Sequence, residues 1–473
     1  MADIEKSGVP TIAIGSRTFE TDFKTSGRMF GIPELPHLCV ADQALTTLEA
    51  DEIYRRVEDI VDRLAEDFTS AARLVEERVT DGEITSLATA LFGQEVPEIE
   101  TFEGEDRLEA WEKMNASFLD RQWGDGFPLV APTPRAVEQM LAGTRRAPDD
   151  VVTVLEPCFG IATVEKIAIN AVMAGCKPEH LPILIAAVEC IVDPGYELRH
   201  MAMSTAPHTP MLVVNGPIAK RIGLNSGMCC LGPGAPSAVN TCIGRAMRLI
   251  LMNVGGNYSG VTDMDTIGEP NKYSMCLAER EEANPWEPLH VERGFAKEDS
   301  TVTVFVAYTT ITHTDHTSTQ PLPFIKSLAD SVCAPGCGTS AKWLWMPKKG
   351  ISSMALKPDD YHEDCVIILC PNDAKMLGRA GWGKVGVKEV LHSFAKMKMR
   401  DRPGTSGQYI SKYGVGENNK GRPEWSWLHD YPDFEVPMYR TPDCYQIIVA
   451  GADSQKNMVV LGGKKASTRR IED

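Results

Sequence analysis

His208 stands in Ala-Pro-His-Thr-Pro directly before the apolar run 211–214, and Asn215-Gly216-Pro217 follows that run directly. An imidazole and an amide therefore mark the two ends of one expected strand, where a scaffold presents reacting groups because the backbone turns towards solvent. A second group is the ten-residue stretch 284–293, which carries Trp286, Glu287, His290, Glu292 and Arg293. In an extended segment His290 and Glu292 would share a face, and a carboxylate that orients an imidazole makes a general base. A third group is His313, Asp315 and His316. With His208 or His290 as a further ligand this set admits a divalent metal, although the helical i, i+4 spacing of the common zinc hydrolases is missing. Each group also has a structural reading, as a histidine bonded to backbone or a surface loop held by a salt bridge.

Asn225-Ser226-Gly227 and the following Cys229-Cys230-Leu231-Gly232-Pro233-Gly234 make a Gly- and Ser-rich loop that enters a helix. Free backbone N–H groups at a helix start favour an anionic substrate group, a carboxylate or phosphate. The loop matches neither the phosphate-binding nor the dinucleotide fingerprint. Cys333 and Cys337 flank the turn Ala-Pro-Gly, with three residues between them where a thioredoxin-type pair has two. Packing is the competing role for both thiols.

The elements that must position these residues alternate between strand and helix, which gives an α/β fold: a small N-terminal β-α unit and a larger two-lobed body. The boundaries expected are 1–70 for the small unit, 71–106 for an acidic linker, 107–310 for the first lobe and 311–473 for the second. A short strand is expected around Pro128-Leu129-Val130, and Thr133-Pro134 reads as a helix start. The segments MLVVNGPIAKRIGLNSG (211–227) and VIILCPNDAKMLGRAGWG (366–383) share an apolar strand, a Pro-containing turn and an Ala-Lys helix. This repeat suggests an internal duplication with parallel strands, whose ligand would lie beyond the strand ends.

The opening IEKSGVPTIAIGSRTF, with GIPELPH after it, resembles the UGSC family of cysteine- or selenocysteine-containing bacterial proteins, related to the B-type selenoproteins of glycine reductase. Glu5-Lys6-Ser7-Gly8-Val9-Pro10 matches the helix end that follows that family's redox motif. The motif itself, Cys or selenocysteine followed by Gly, Ser or Thr and Cys, is not in this sequence. The resemblance implies that it lies upstream, on a separate small subunit, or was lost. The remainder, from about 107 onward, resembles uncharacterised bacterial proteins that accompany such a domain, through TVEKIAINAVMAGCKPEHLPILIAAVE, VVNGPIAKRIGLNSG, NPWEPLHVERGF and GWGKVGVKEVL.

A formal charge of −17 argues against a general nucleic-acid or anionic-membrane surface. No apolar run is long enough to span a bilayer, and the first residues lack an export signal, so a cytoplasmic protein is expected. An odd, dispersed set of 13 cysteines does not read as a disulfide framework. These features together lead to an enzyme or large enzyme subunit, in an oligomer, that uses a thiol or selenol for redox chemistry or reductive cleavage of a small anionic substrate. No cofactor is required by the sequence. The alternatives are a histidine-centred, metal-assisted lyase or hydrolase, and a non-catalytic binding subunit.

Overall fold

The computed structural model describes residues 12–17, 20, 37–41, 50–58, 61, 65, 99–333, 362–401 and 430–472. Near the N-terminus β1 (Ala13–Ser16) and β2 (His37–Ala41) pair in parallel beside helix α1 (Ala50–Glu58), the β-α unit expected there.

Helix α2 (Arg107–Asp120) is capped by Asp106, whose carboxylate accepts from the N–H groups of Leu108 and Glu109. Thr133 caps α3 (Pro134–Leu141), with Pro134 at the first position, where its missing N–H costs nothing. The strand expected before it does not form. Leu129 donates its N–H to Asn115 Oδ1 at 2.7 Å and accepts from Trp111 Nε1 at 2.8 Å, so α2 side chains take the groups a neighbouring strand would use. A hairpin of β3 (Val151–Leu155) and β4 (Gly160–Thr163) leads into α4 (Val164–Met173) and α5 (Leu181–Ile191). Both helices are apolar on almost every side and are buried, as their sequence requires. The short helix α6 (Leu198–Ala202) precedes the main sheet.

The first half of that sheet contains β5 (Thr209–Asn215), followed by α7 (Pro217–Arg221) and α8 (Ala238–Asn253); β6 (Cys276–Ala278), followed by α9 (Leu289–Glu292); and β7 (Thr301–Thr314). After α10 (Pro321–Val332) the second half contains β8 (Cys365–Leu369), with α11 (Pro371–Arg379) and α12 (Lys384–Phe394). A separate antiparallel pair, β9 (Lys396–Lys398) and β10 (Glu435–Pro437), lies between these and β11 (Tyr445–Val449), β12 (Lys456–Gly462) and β13 (Ser467–Arg470).

The strand order is β11-β8-β12-β7-β5-β6, with β13 alongside the first part of β7. Each half is built the same way. In the first, β6 lies parallel to β5 and β7 antiparallel to it; in the second, β11 lies parallel to β8 and β12 antiparallel to it. The halves meet through the antiparallel pair β7 and β12. Met211 and Val366, the starts of the two similar sequence segments, are as far apart in the chain as Thr301 and Lys456, which begin β7 and β12. The sequence repeat is thus a repeat of topology, within a mixed sheet rather than an all-parallel one. The boundary expected at 310/311 falls inside β7, and β13, the last strand, returns to the first half, so the two lobes share one sheet.

Both faces of the sheet are covered, which explains why its strands read as continuous apolar runs. Leu212 and Val214 of β5 pack with α4, α5 and α8, while Ile367 and Leu369 of β8 pack with α10, α11 and α12. The alternate residues, among them Met211, Val213, Phe305, Val366, Ile368, Ile448 and Val460, form a third core drawn from both halves. Strand residues from opposite ends of the sheet can meet only if the sheet curls round them, and Arg280 N–H, just beyond β6, donates to Val449 O of β11 at 2.7 Å. No described helix is long and apolar enough to cross a membrane.

Candidate functional site: a charged cleft and a buried cluster between the lobes

Four of the residues singled out from sequence meet at the carboxyl ends of β5 and β6. Asn215, the last residue of β5, donates from Nδ2 to Glu279 Oε2 at 2.7 Å and to Glu281 Oε1 at 3.1 Å. Glu279, only 4% exposed, also accepts from Leu289 N–H at 2.8 Å and from Asn284 Nδ2 at 2.8 Å. Burial holds its carboxyl above the usual range, with nearby Lys384 opposing the shift. His290 is fully buried; its Nε2 lies 3.4 Å from Lys297 O and its Nδ1 4.0 Å from Glu281 Oε1. Trp286 donates from Nε1 to Trp382 O at 2.7 Å, and Glu292 accepts from Lys384 at 3.0 Å and from Lys388. The segment 289–292 is a helical turn, not a strand, so His290 and Glu292 do not share a face. Residues two apart on a helix point in nearly opposite directions: His290 turns inward while Glu292 reaches α12. Through Trp286 to Trp382 and Glu292 to Lys384 and Lys388, this segment fastens the first half of the sheet to the helices of the second.

The other sequence candidates lie apart. His208 precedes the first residue of β5 and packs edge-on against Tyr308, so about 20 Å of extended strand separates it from the Asn215 end. His313 lies within β7 rather than in a loop; its Nδ1 is 3.2 Å from Ser331 Oγ, and burial pushes its pKa below the usual histidine value. His316 is at the surface with Nδ1 3.1 Å from Gln455 Oε1, and the Asp315 between them accepts from the N–H groups of Thr317 and Ser318. The histidines are therefore spread over both ends of the sheet, and among the described residues no three His, Cys, Asp or Glu side chains are placed to hold a metal ion.

The 225–234 loop is folded on itself. Asn225 N–H donates to Asn240 Oδ1, Gly227 N–H to Asn225 Oδ1, and Gly232 N–H to Cys229 O, while Ser226 O and Gly234 O accept from Gly451 and Ser237. Three of the N–H groups expected to cradle an anion, those of Asn225, Gly227 and Gly232, are thus spent on protein acceptors. Cys333 ends α10 with its Sγ 3.5 Å from Lys396 O, and Cys337 lies outside the described residues.

The structure opens elsewhere. A cleft of about 650 Å³ lies between the loop after α2, the middle of α8 and the connection from α8 to β6, lined by Gln122, Asp125, Arg248, Asp263, Asp265, Glu269, Lys272 and Tyr273 among others. Its floor is a fixed ionic network. Arg248 donates to Asp263 at 2.9 Å and to Asn257 Oδ1 at 2.6 Å. Lys272 Nζ lies 2.9 and 2.7 Å from the two Asp263 oxygens and 2.9 Å from Asp265 Oδ2. Asp265 is pulled below its usual value: burial works against ionisation, but the Lys272 bond and the N–H groups of Gly268 and Ile267 overcome it. One wall is held by Arg245, which grips Asp125 at 2.7 and 2.8 Å.

Glu269 differs from its neighbours. Burial, reinforced by the Asp265 charge, holds its carboxyl above the usual range against the pull of Asn271 and Lys272. Its hydrogen bond is from Asn271 Nδ2 at 3.1 Å, and among the described residues no Lys, Arg or His nitrogen comes within 4.0 Å of it. Asp263, Asp265, Glu269 and Lys272 were missed in the sequence because they fall on a connection with no apolar period. The one available signal was its length: residues 254–275 join α8 to β6 almost without regular structure, and such long connections are usually functional. Comparison with protein-family models, curated proteins and solved structures finds no match to this chain.

Proposed function

We propose that the protein is an enzyme that moves a proton on a small molecule bound in the cleft, as in a lyase or hydrolase, with Glu269 as the proton carrier. The observation that carries this reading is the Glu269 carboxyl, half-buried, with its pKa raised and, among the described residues, no cation within salt-bridge reach, facing a cleft of substrate size. A carboxyl shifted towards neutrality is a stronger base when ionised and a usable acid when protonated. The Asp263–Lys272–Asp265 network beneath it supplies rigid polar walls that need no rearrangement on binding.

A thiol or selenol reading would take its nucleophile from a small partner subunit or from Cys333 or Cys337, and not from Cys190, Cys230 or Cys370. Burial pushes Cys190 up to about 12 and Cys230 and Cys370 up to about 11, the reverse of what an attacking thiolate needs.

The test is to incubate wild type and Glu269→Gln with a small-molecule extract in deuterated water and follow product formation and deuterium uptake by mass spectrometry. At least one compound should be converted or labelled by wild type and about 10²- to 10⁴-fold more slowly by the variant. Equal rates for the two proteins would exclude Glu269 as proton carrier. A ligand bound equally by both and converted by neither would point to the non-catalytic binding subunit.

A further inference from the structure

The charges lining the cleft can be paired off, and the pairing selects a ligand. Asp125 is matched by Arg245, and Asp263 and Asp265 by Arg248 and Lys272. Lys272 has three N–H donors, and three carboxylate oxygens lie within 2.9 Å of its nitrogen. Arg248 spends its terminal nitrogens on Asp263 and Asn257. An anion entering the cleft would find no donor to spare on Lys272, and on Arg248 only those left beside its bond to an aspartate that is itself almost wholly buried. Glu269 is the one lining charge without a partner of opposite sign among the described residues, and it has acceptor capacity beyond the single bond from Asn271.

The rim is apolar. Ile267 is 94% exposed, and Tyr273 and Leu119 also present apolar surface at the mouth. The Phe127 ring meets Tyr273 edge-on at 4.9 Å, which widens the aromatic wall. Exposed apolar side chains in the same lining as a carboxylate with no cationic partner among the described residues suit a ligand with a cationic head and an apolar body.

We infer that the cleft takes a small organic cation, an ammonium or guanidinium group on an apolar body, with Glu269 as its counter-ion. The inference rests on the reading of the cleft as the ligand site and names the class of ligand, opposite in sign to the anionic substrate expected from sequence.

Three probes of one size separate charge from shape: benzylammonium, benzyl alcohol and benzoate, titrated calorimetrically into the full chain at pH 8 and constant ionic strength. Glu269→Gln keeps the acceptor for Asn271 and removes only the charge, while Ser259→Trp, at an exposed lining position, fills the cleft. Benzylammonium should bind at least ten-fold more tightly than the other two, the preference should vanish in Glu269→Gln, and Ser259→Trp should abolish binding. Tighter binding of benzoate or benzyl alcohol, a cation preference that survives Glu269→Gln, or no benzylammonium binding at millimolar concentration overturns the inference. Binding of the wrong probe that Ser259→Trp blocks would leave the cleft as a ligand site and remove only the cation. Unchanged turnover in Glu269→Gln alongside lost cation binding would instead remove the proton-transfer reading.

Discussion

Glu292 on α9 and Lys384 on α12, 92 residues apart in the chain, meet at 3.0 Å where the two lobes join. Lys388 reaches the same carboxylate, and both lysines are less than 10% exposed. Removal of the carboxylate would leave two nearly buried ammonium groups facing each other. Glu292→Gln is expected to lower stability by about 2–3 kcal/mol, less than the full cost of breaking a buried pair because Glu292 itself is part-exposed. Denaturant unfolding beside Glu287→Gln, an exposed neighbour, measures this; equal midpoints for the two variants would show that the lobes do not depend on the pair.

His362 gives a pH dependence of definite sign. Its Nε2 lies 2.8 Å from the buried Asp364 carboxylate. Burial alone would lower its pKa, but the Asp364 bond and the nearby Cys444 sulfur raise it to about 10. A folded-state value above the unfolded one of about 6.5 means that the stabilisation is complete below about pH 6.5 and is lost as pH rises through about 10. The melting temperature of wild type should exceed that of His362→Gln by a constant amount at low pH, and the gap should close towards pH 10. A gap that stays flat over this range would mean that the imidazolium charge contributes nothing.

Thiol reactivity separates the competing chemistries. Cys229 is exposed, whereas Cys190, Cys276 and Cys370 are buried and shifted upward by that burial. Iodoacetamide at pH 8 should modify Cys229 first and leave those three unmodified in the native protein, as read by peptide mass spectrometry. Rapid labelling of Cys190 or Cys276 would contradict the packing described. Turnover is expected to survive modification of Cys229, and loss of turnover would favour the thiol reading.

Where side chains obey a local rule, the sequence could be read. Thr133-Pro134 announced its helix because a cap and a proline act within one turn. The helices near 164–191 and the strands at 211 and 366 announced themselves through apolar runs. The reading failed where a distant partner intervened. Asn115 and Trp111 took the Leu129 backbone out of any strand, and His290 and Glu292 fell on a helical turn whose start is fixed by Glu279, ten residues earlier, accepting from Leu289 N–H. Asn225 and Gly227 looked like free donors because nothing local shows that Asn240 and the loop's own side chains would use them.

The sequence by itself determined the alternation of strand and helix, the burial of both faces of the strands and the two similar segments that proved to be a topological repeat. These are properties of neighbouring residues, since backbone hydrogen bonding and side-chain periodicity act over a few positions. Tertiary structure alone decided which polar groups would meet. The cleft draws Asp125, Arg248 and Glu269 from three separate stretches of chain, and the pKa of Glu269 depends on the burial and charges assembled round it. Polar residues carry no period that marks them for a shared site. Their roles are set by distance and desolvation, which exist only after the apolar elements have packed.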